Sequence, residues 1–139
     1  MKISRASIAT GLVATAFATG LAACGSNSSE PAPTTAAAPA GAEPAVEKDG
    51  LLSISADPNG QLLYVETTAT ATAGAVKLEM PNESGVPHNL LIEDTPIATA
   101  VVSNGVAKAS GVLKAGEFVY YCSVPGHREA GMVGTLTVR

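Results

Sequence analysis

Tryptophan is absent from this 139-residue chain, which has only two phenylalanines and three tyrosines. A core with so few aromatics has to be built mostly from Val, Leu, Ile and Ala. No run of basic residues occurs anywhere, and eight Lys and Arg stand against twelve Asp and Glu. Lys2 and Arg5 fall within the first 23 residues, so the rest of the chain carries a formal charge of −6. A surface of that sign repels phosphate backbones, which argues against a nucleic-acid partner. Cysteine and histidine are equally scarce, at two each. The two cysteines lie in unlike contexts, one after a short apolar stretch and one in a carboxy-terminal loop, and do not read as a disulfide pair. The length suits one domain of ordinary size.

The amino-terminal segment reads as an export signal. Lys2 and Arg5 form a positive head, and Ile8 to Ala22 is a run of 15 mainly apolar, small residues, short for a membrane-spanning helix. It ends in Leu21-Ala22-Ala23-Cys24, which resembles the bacterial lipobox. The resemblance implies cleavage before Cys24 and acylation of its sulfur, hence a protein lipid-anchored to the cell membrane outside the cytoplasm. Residues 24–49 are rich in Ala, Pro, Ser and Thr, and bury too little to offset their ordering entropy. They are expected to form a flexible tether with a reach of roughly 25–30 Å.

From residue 50 to 139 the pattern changes. Short apolar runs recur at Leu51–Ala56, Leu62–Glu66, Ala75–Met80, Asn89–Ile92, Ile97–Val102, Val106–Ala109, Phe118–Cys122 and Val133–Val138. Turn residues separate them at Asp57-Pro58-Asn59-Gly60, Asn82-Glu83-Ser84-Gly85, Asn104-Gly105 and Ala115-Gly116. Thr67–Ala73 alternates Thr and Ala and fits a weakly patterned strand. No stretch holds a helical period over a helical length. The expectation is an all-β domain of about eight strands, an antiparallel Greek-key sandwich.

Both histidines fall beside chemistry. Tyr121-Cys122-Ser123-Val124-Pro125-Gly126-His127-Arg128-Glu129-Ala130-Gly131-Met132 puts a thiol, an imidazole and a thioether in one loop, and Val86-Pro87-His88-Asn89 adds a second imidazole. Four residues separate Cys122 from His127 and four separate His127 from Met132, enough chain to fold around one ion. Two His, one Cys and a weak Met make the donor set of a trigonal electron-transfer copper site. Taken singly, a His beside a proline is usually a surface residue, and a Cys at a strand end a small buried hydrophobe. Together, with no His to spare, they point to one copper ion cycling between Cu(I) and Cu(II).

Pro87-His88-Asn89 and the segment from Tyr121 to Val138 resemble the cupredoxins, the family of plastocyanins, auracyanins and azurins. The resemblance implies that His88, Cys122 and His127 bind copper, with Met132 as a distant axial ligand. It implies that Asn89 ties the two ligand loops together and shields the sulfur, with Ser123 beside it. His127 is then the electron port, breaking the surface in an apolar patch, and Tyr121 lies where plastocyanins have a second electron route. The spacing from Cys122 to His127 matches auracyanin and azurin, whereas plant plastocyanin has two residues there. Pro87 stands where azurin has glycine, and azurin's disulfide has no counterpart, so the auracyanin-like bacterial branch fits best.

These readings imply a monomeric one-electron carrier serving redox proteins such as cytochromes or membrane oxidoreductases. An enzyme is not expected: no His remains for another copper, and no second loop Cys exists for a dinuclear one. The alternative is an extracytoplasmic copper delivery or storage protein using the same donors.

Overall fold

The computed structural model describes residues 42–139. The signal segment over 1–23, Cys24 and the tether as far as residue 41 lie outside the described residues.

Eight strands form two sheets. They are β1 (Ala45–Val46), β2 (Leu51–Ser53), β3 (Thr68–Ala71), β4 (Gly74–Asn82), β5 (Leu91–Ile92), β6 (Gly105–Leu113), β7 (Gly116–Tyr121) and β8 (Val133–Val138). One sheet has the order β1-β3-β8-β7-β5 and the other β2-β4-β6. The sandwich is not purely antiparallel as the sequence suggested. β1 with β3, β3 with β8 and β2 with β4 run parallel, while β4–β6, β5–β7 and β7–β8 are antiparallel. The parallel pairs arise where the chain crosses between sheets instead of turning back in a hairpin.

Alternation sets the inner faces. Val76, Leu78 and Met80 of β4 point inward, and Lys77 points to solvent. On β8, Leu136 and Val138 are buried. Tyr64 and Tyr120 are completely buried and pack with ring centroids 5.5 Å apart. Without Trp, this tyrosine pair supplies the bulkiest part of the core.

Two expected strands do not form regular ladders. Leu62–Glu66 contributes only a bridge between Tyr64 and Ala56. Its preceding turn is as expected: the Asp57 carboxylate accepts from the Asn59 amide at 2.8 Å, and Gly60 takes φ 79°. Ile97–Val102 runs against residues 88–92 but bridges at isolated points, Val102 with His88 and Ala98 with Leu91. Here the Thr99 hydroxyl accepts from the Leu90 amide at 2.9 Å, taking a bond that a backbone carbonyl would have made.

The domain also begins earlier than expected. Ala45–Val46, placed in the tether by composition, is a strand on β3, and Ala45 is buried. Glu47 fixes it: its carboxylate accepts from the Gly50 and Thr72 amides, each at 2.7 Å. These backbone bonds hold the Glu47 carboxyl below its ordinary pKa, the Thr72 amide most strongly. A carboxylate with a depressed folded pKa contributes stability that is present above the ordinary carboxylate range and lost as pH falls through the folded value. Glu47→Gln is therefore expected to melt lower than the parent at pH 7, with the gap closing on acidification toward pH 3. Thermal melts across that range check it; a gap independent of pH contradicts the clamp.

Candidate metal centre

His88 sits just before β5. Its amide donates to the Val102 carbonyl and its carbonyl accepts from the Val102 amide, both at 2.9 Å. This reciprocal pair aims the ring inward, and no part of the residue reaches solvent. Cys122 follows β7 directly, on a strand end where alternation turns its side chain into the core. The loop between β7 and β8 is closed by its own backbone. The Cys122 amide donates to the Met132 carbonyl at 3.1 Å, and the Met132 amide to the His127 carbonyl at 2.9 Å. Gly126 and Gly131 take φ 84° and 110°, so the bends before His127 and Met132 use conformations that glycine adopts without strain.

The three donors converge. One ligand atom from each of His88, Cys122 and His127 lies within 4.8 Å of the other two. Nδ1 of His88 and Nδ1 of His127 are 3.1 Å apart, and Cys122 Sγ is 3.5 Å from His127 Nδ1. Two imidazole nitrogens and a sulfur aimed at one point, all buried, suit a metal that takes both nitrogen and soft sulfur. Met132 is fully buried in the same loop, so its thioether is held within the domain at this end.

Burial, and then the neighbouring His127, push the His88 imidazole below its ordinary pKa. Both effects favour the neutral ring, the form that ligates metals. His88 Nε2 has no hydrogen-bond partner among the described residues. Of the two imidazoles only His127 retains surface, at 9% exposure, less than the open port the sequence suggested.

Asn89 and Ser123 come together around the sulfur. Asn89 Oδ1 accepts from the Ser123 amide at 2.8 Å and from the Ser123 hydroxyl at 3.2 Å, and lies 3.6 Å from Cys122 Sγ. The Asn89 amide nitrogen donates to Ser123 Oγ at 3.0 Å. These contacts join the His88 segment to the Cys122 loop.

The Tyr121 ring is covered by Arg128, whose guanidinium lies 4.0 Å over it and reaches the Glu93 carboxylate at 2.7 Å. The hydrogen bond to Glu93 holds Arg128 above its ordinary pKa. This partly exposed clasp ties the loop to the end of β5, with an ion pair worth less than about 1 kcal/mol. Sequence reasoning missed the Arg128–Glu93 clasp, because no motif marks partners that only the fold brings together.

Comparisons with known proteins agree with this geometry. The chloroplastic plastocyanin of Chlamydomonas reinhardtii is 30% identical over 106 residues, covering 68% of this chain and 70% of its own. The plastocyanin of Cucumis sativus is also 30% identical, over 58% of this chain and 91% of its own. Among solved structures, auracyanin B superposes with a TM-score of 0.57 at 25% identity, over 71% of this chain and 96% of its own. Auracyanin A, a blue copper protein of Chloroflexus aurantiacus, shares the fold with a TM-score of 0.55 at 22% identity, over 64% and 98%. A sequence profile of the copper binding proteins, plastocyanin/azurin family, matches residues 52–139. With the buried imidazole–thiol–imidazole group inside that match, the chain belongs to the plastocyanin/azurin family of copper-binding proteins, and copper is its cofactor.

Proposed function

We propose that this protein carries single electrons outside the cytoplasm, through one type 1 copper held by His88, Cys122 and His127, with Met132 as the weak fourth donor. The observation that carries the reading is the convergence of Sγ and the two Nδ1 atoms in a buried site. Bound copper supplies a one-electron couple, and the protein's part is to offer both oxidation states nearly the same surroundings. His88 is held by two bonds to Val102, and the loop of Cys122, His127 and Met132 is closed by backbone bonds. Little has to move, so reorganisation stays small. His127 retains the only imidazole surface at the site and is the side from which a partner gains closest approach.

Cupredoxins work with redox partners, and here these are cytochromes or membrane oxidoreductases. A net-acidic chain favours a basic docking surface, with association that slows as salt rises. Lipidation at Cys24 would keep the domain at the membrane, and its test is mass spectrometry of the membrane fraction, where Cys24→Ala loses the acyl mass and the protein is released.

Copper loading tests the function. An electron carrier acquires an intense visible thiolate-to-copper band and cycles reversibly by voltammetry. Pale copper, readily removed by chelators, points instead to delivery or storage. Met132→Leu is expected to keep copper and colour and to raise the reduction potential, because losing an axial sulfur donor disfavours Cu(II). An unchanged potential removes Met132 from the donor set.

A further inference from the structure

The carbonyl of Asn89 receives a hydrogen bond from the Tyr64 hydroxyl at 2.6 Å, across 25 residues of sequence. The surrounding backbone explains why that bond matters. His88 bonds through both backbone groups to Val102, the Leu90 carbonyl accepts from the Thr99 amide, and the Ile92 amide donates to Ile97. Residues 88, 90 and 92 thus all face the 97–102 segment. Alternation turns Asn89 to the opposite edge, where β7 lies. The ladder between β5 and β7 starts only at Leu91, opposite Tyr121. At Asn89 the edge has run past the ladder, and the Tyr64 hydroxyl stands in for the missing strand.

We propose that Tyr64 is a positioning residue of the copper site, acting through Asn89 on the Cys122 sulfur. The proposal rests on the copper reading above. Asn89 is the link: its backbone is pinned by Tyr64, while its side chain touches Cys122 Sγ and both polar groups of Ser123. Tyr64 itself is fully buried and braced by the Tyr120 ring, so its hydroxyl has little freedom to drift. Burial, and then the neighbouring Cys122 and Tyr120, raise its pKa, so the hydroxyl remains a donor at any working pH.

Tyr120 provides the matched control. It too is fully buried, and its hydroxyl donates at 2.6 Å to a backbone carbonyl, that of Glu66, which is neither a donor residue nor adjacent to one in sequence. Tyr64→Phe and Tyr120→Phe therefore lose equivalent bonds, one directed at the site and one away from it.

The experiment uses the full chain, metal-free and copper-loaded. In the metal-free form, exchange of the Ser123 amide hydrogen, which is donated to Asn89 Oδ1, should speed up about tenfold in Y64F, the change expected from one buried hydrogen bond. Y120F should leave that rate near the parent's. In the copper-loaded form, Y64F should shift the thiolate-to-copper band and the reduction potential, and Y120F should not. Combining Y64F with Asn89→Ala should add no further spectral shift beyond Asn89→Ala alone, because the pathway has already been cut. Equal effects of Y64F and Y120F, or full additivity with Asn89→Ala, overturn the proposal. If the parent forms no such band, the copper reading fails by itself, and Ser123 exchange still decides whether Tyr64 positions Asn89.

Discussion

Cys122→Ala is expected to leave a folded, colourless protein: the visible thiolate-to-copper band disappears entirely, while the β-sheet circular dichroism persists. The band needs a sulfur anion bound to the metal, and Cys122 is the only cysteine among the described residues. No other thiol among the described residues can substitute. The folding cost should be small, because the change deletes one buried atom and leaves the backbone untouched. Truncating a small buried side chain costs about 1 kcal/mol. The loop does not depend on the sulfur for its closure, since the Cys122 amide bonds to the Met132 carbonyl through the main chain. His88 and His127 would remain near each other, and two imidazoles alone would hold copper loosely and almost without colour. Absorption and circular dichroism spectra of copper-loaded C122A check both halves. Survival of the intense band would mean that the sulfur 3.5 Å from His127 is not the ligand.

The metal site was legible in the sequence because its chemistry depends on rare residues. With two histidines in the chain, both beside distinctive neighbours, their convergence with Cys122 could be anticipated before any fold was known. The sandwich was legible because alternation on β4 and β8 and the turn at Asp57–Gly60 are local signals. What escaped was set by distant partners. Strand direction depends on which strand lies alongside, and the parallel β1–β3 and β3–β8 pairs carry no local signature. Ala45–Val46 reads as tether because two residues show no period; the Glu47 carboxylate, bonded to Gly50 and Thr72, is what makes them a strand. Ile97–Val102 reads as a strand because its apolar pattern cannot reveal that Thr99 takes a ladder bond with its side chain. Tyr64 is read only as part of the expected strand Leu62–Glu66, and its hydroxyl's destination lies 25 residues away.

Gly134→Ala is expected to be the most damaging small substitution in the domain, for reasons that again join distant residues. Gly134 sits on β8 directly opposite Tyr120 of β7. A methyl group there would run into Cζ and Oη of the Tyr120 ring and come within 2.6 Å of the Thr67 carbonyl oxygen. Neither neighbour can yield cheaply. The Tyr120 hydroxyl is bonded to Glu66, and its ring is packed on Tyr64. The Thr67 carbonyl accepts from the Thr135 amide at 3.0 Å, so moving it opens the join between β3 and β8. Overpacking of this kind costs typically 1–3 kcal/mol, and loss of a buried hydrogen bond adds about 1 more. A loss of about 3 kcal/mol lowers the melting temperature of a domain this size by roughly 12–24 °C. Gly111→Ala makes the telling comparison, since the three atoms nearest its added methyl all belong to the Ile97 side chain and none to the backbone. Ile97 is buried too, but its aliphatic side chain has no hydrogen bond to lose, so that clash costs repacking alone. Thermal denaturation should therefore rank Gly134→Ala well below Gly111→Ala. Equal melting temperatures would show that the Tyr120 ring is free to move aside from the added methyl.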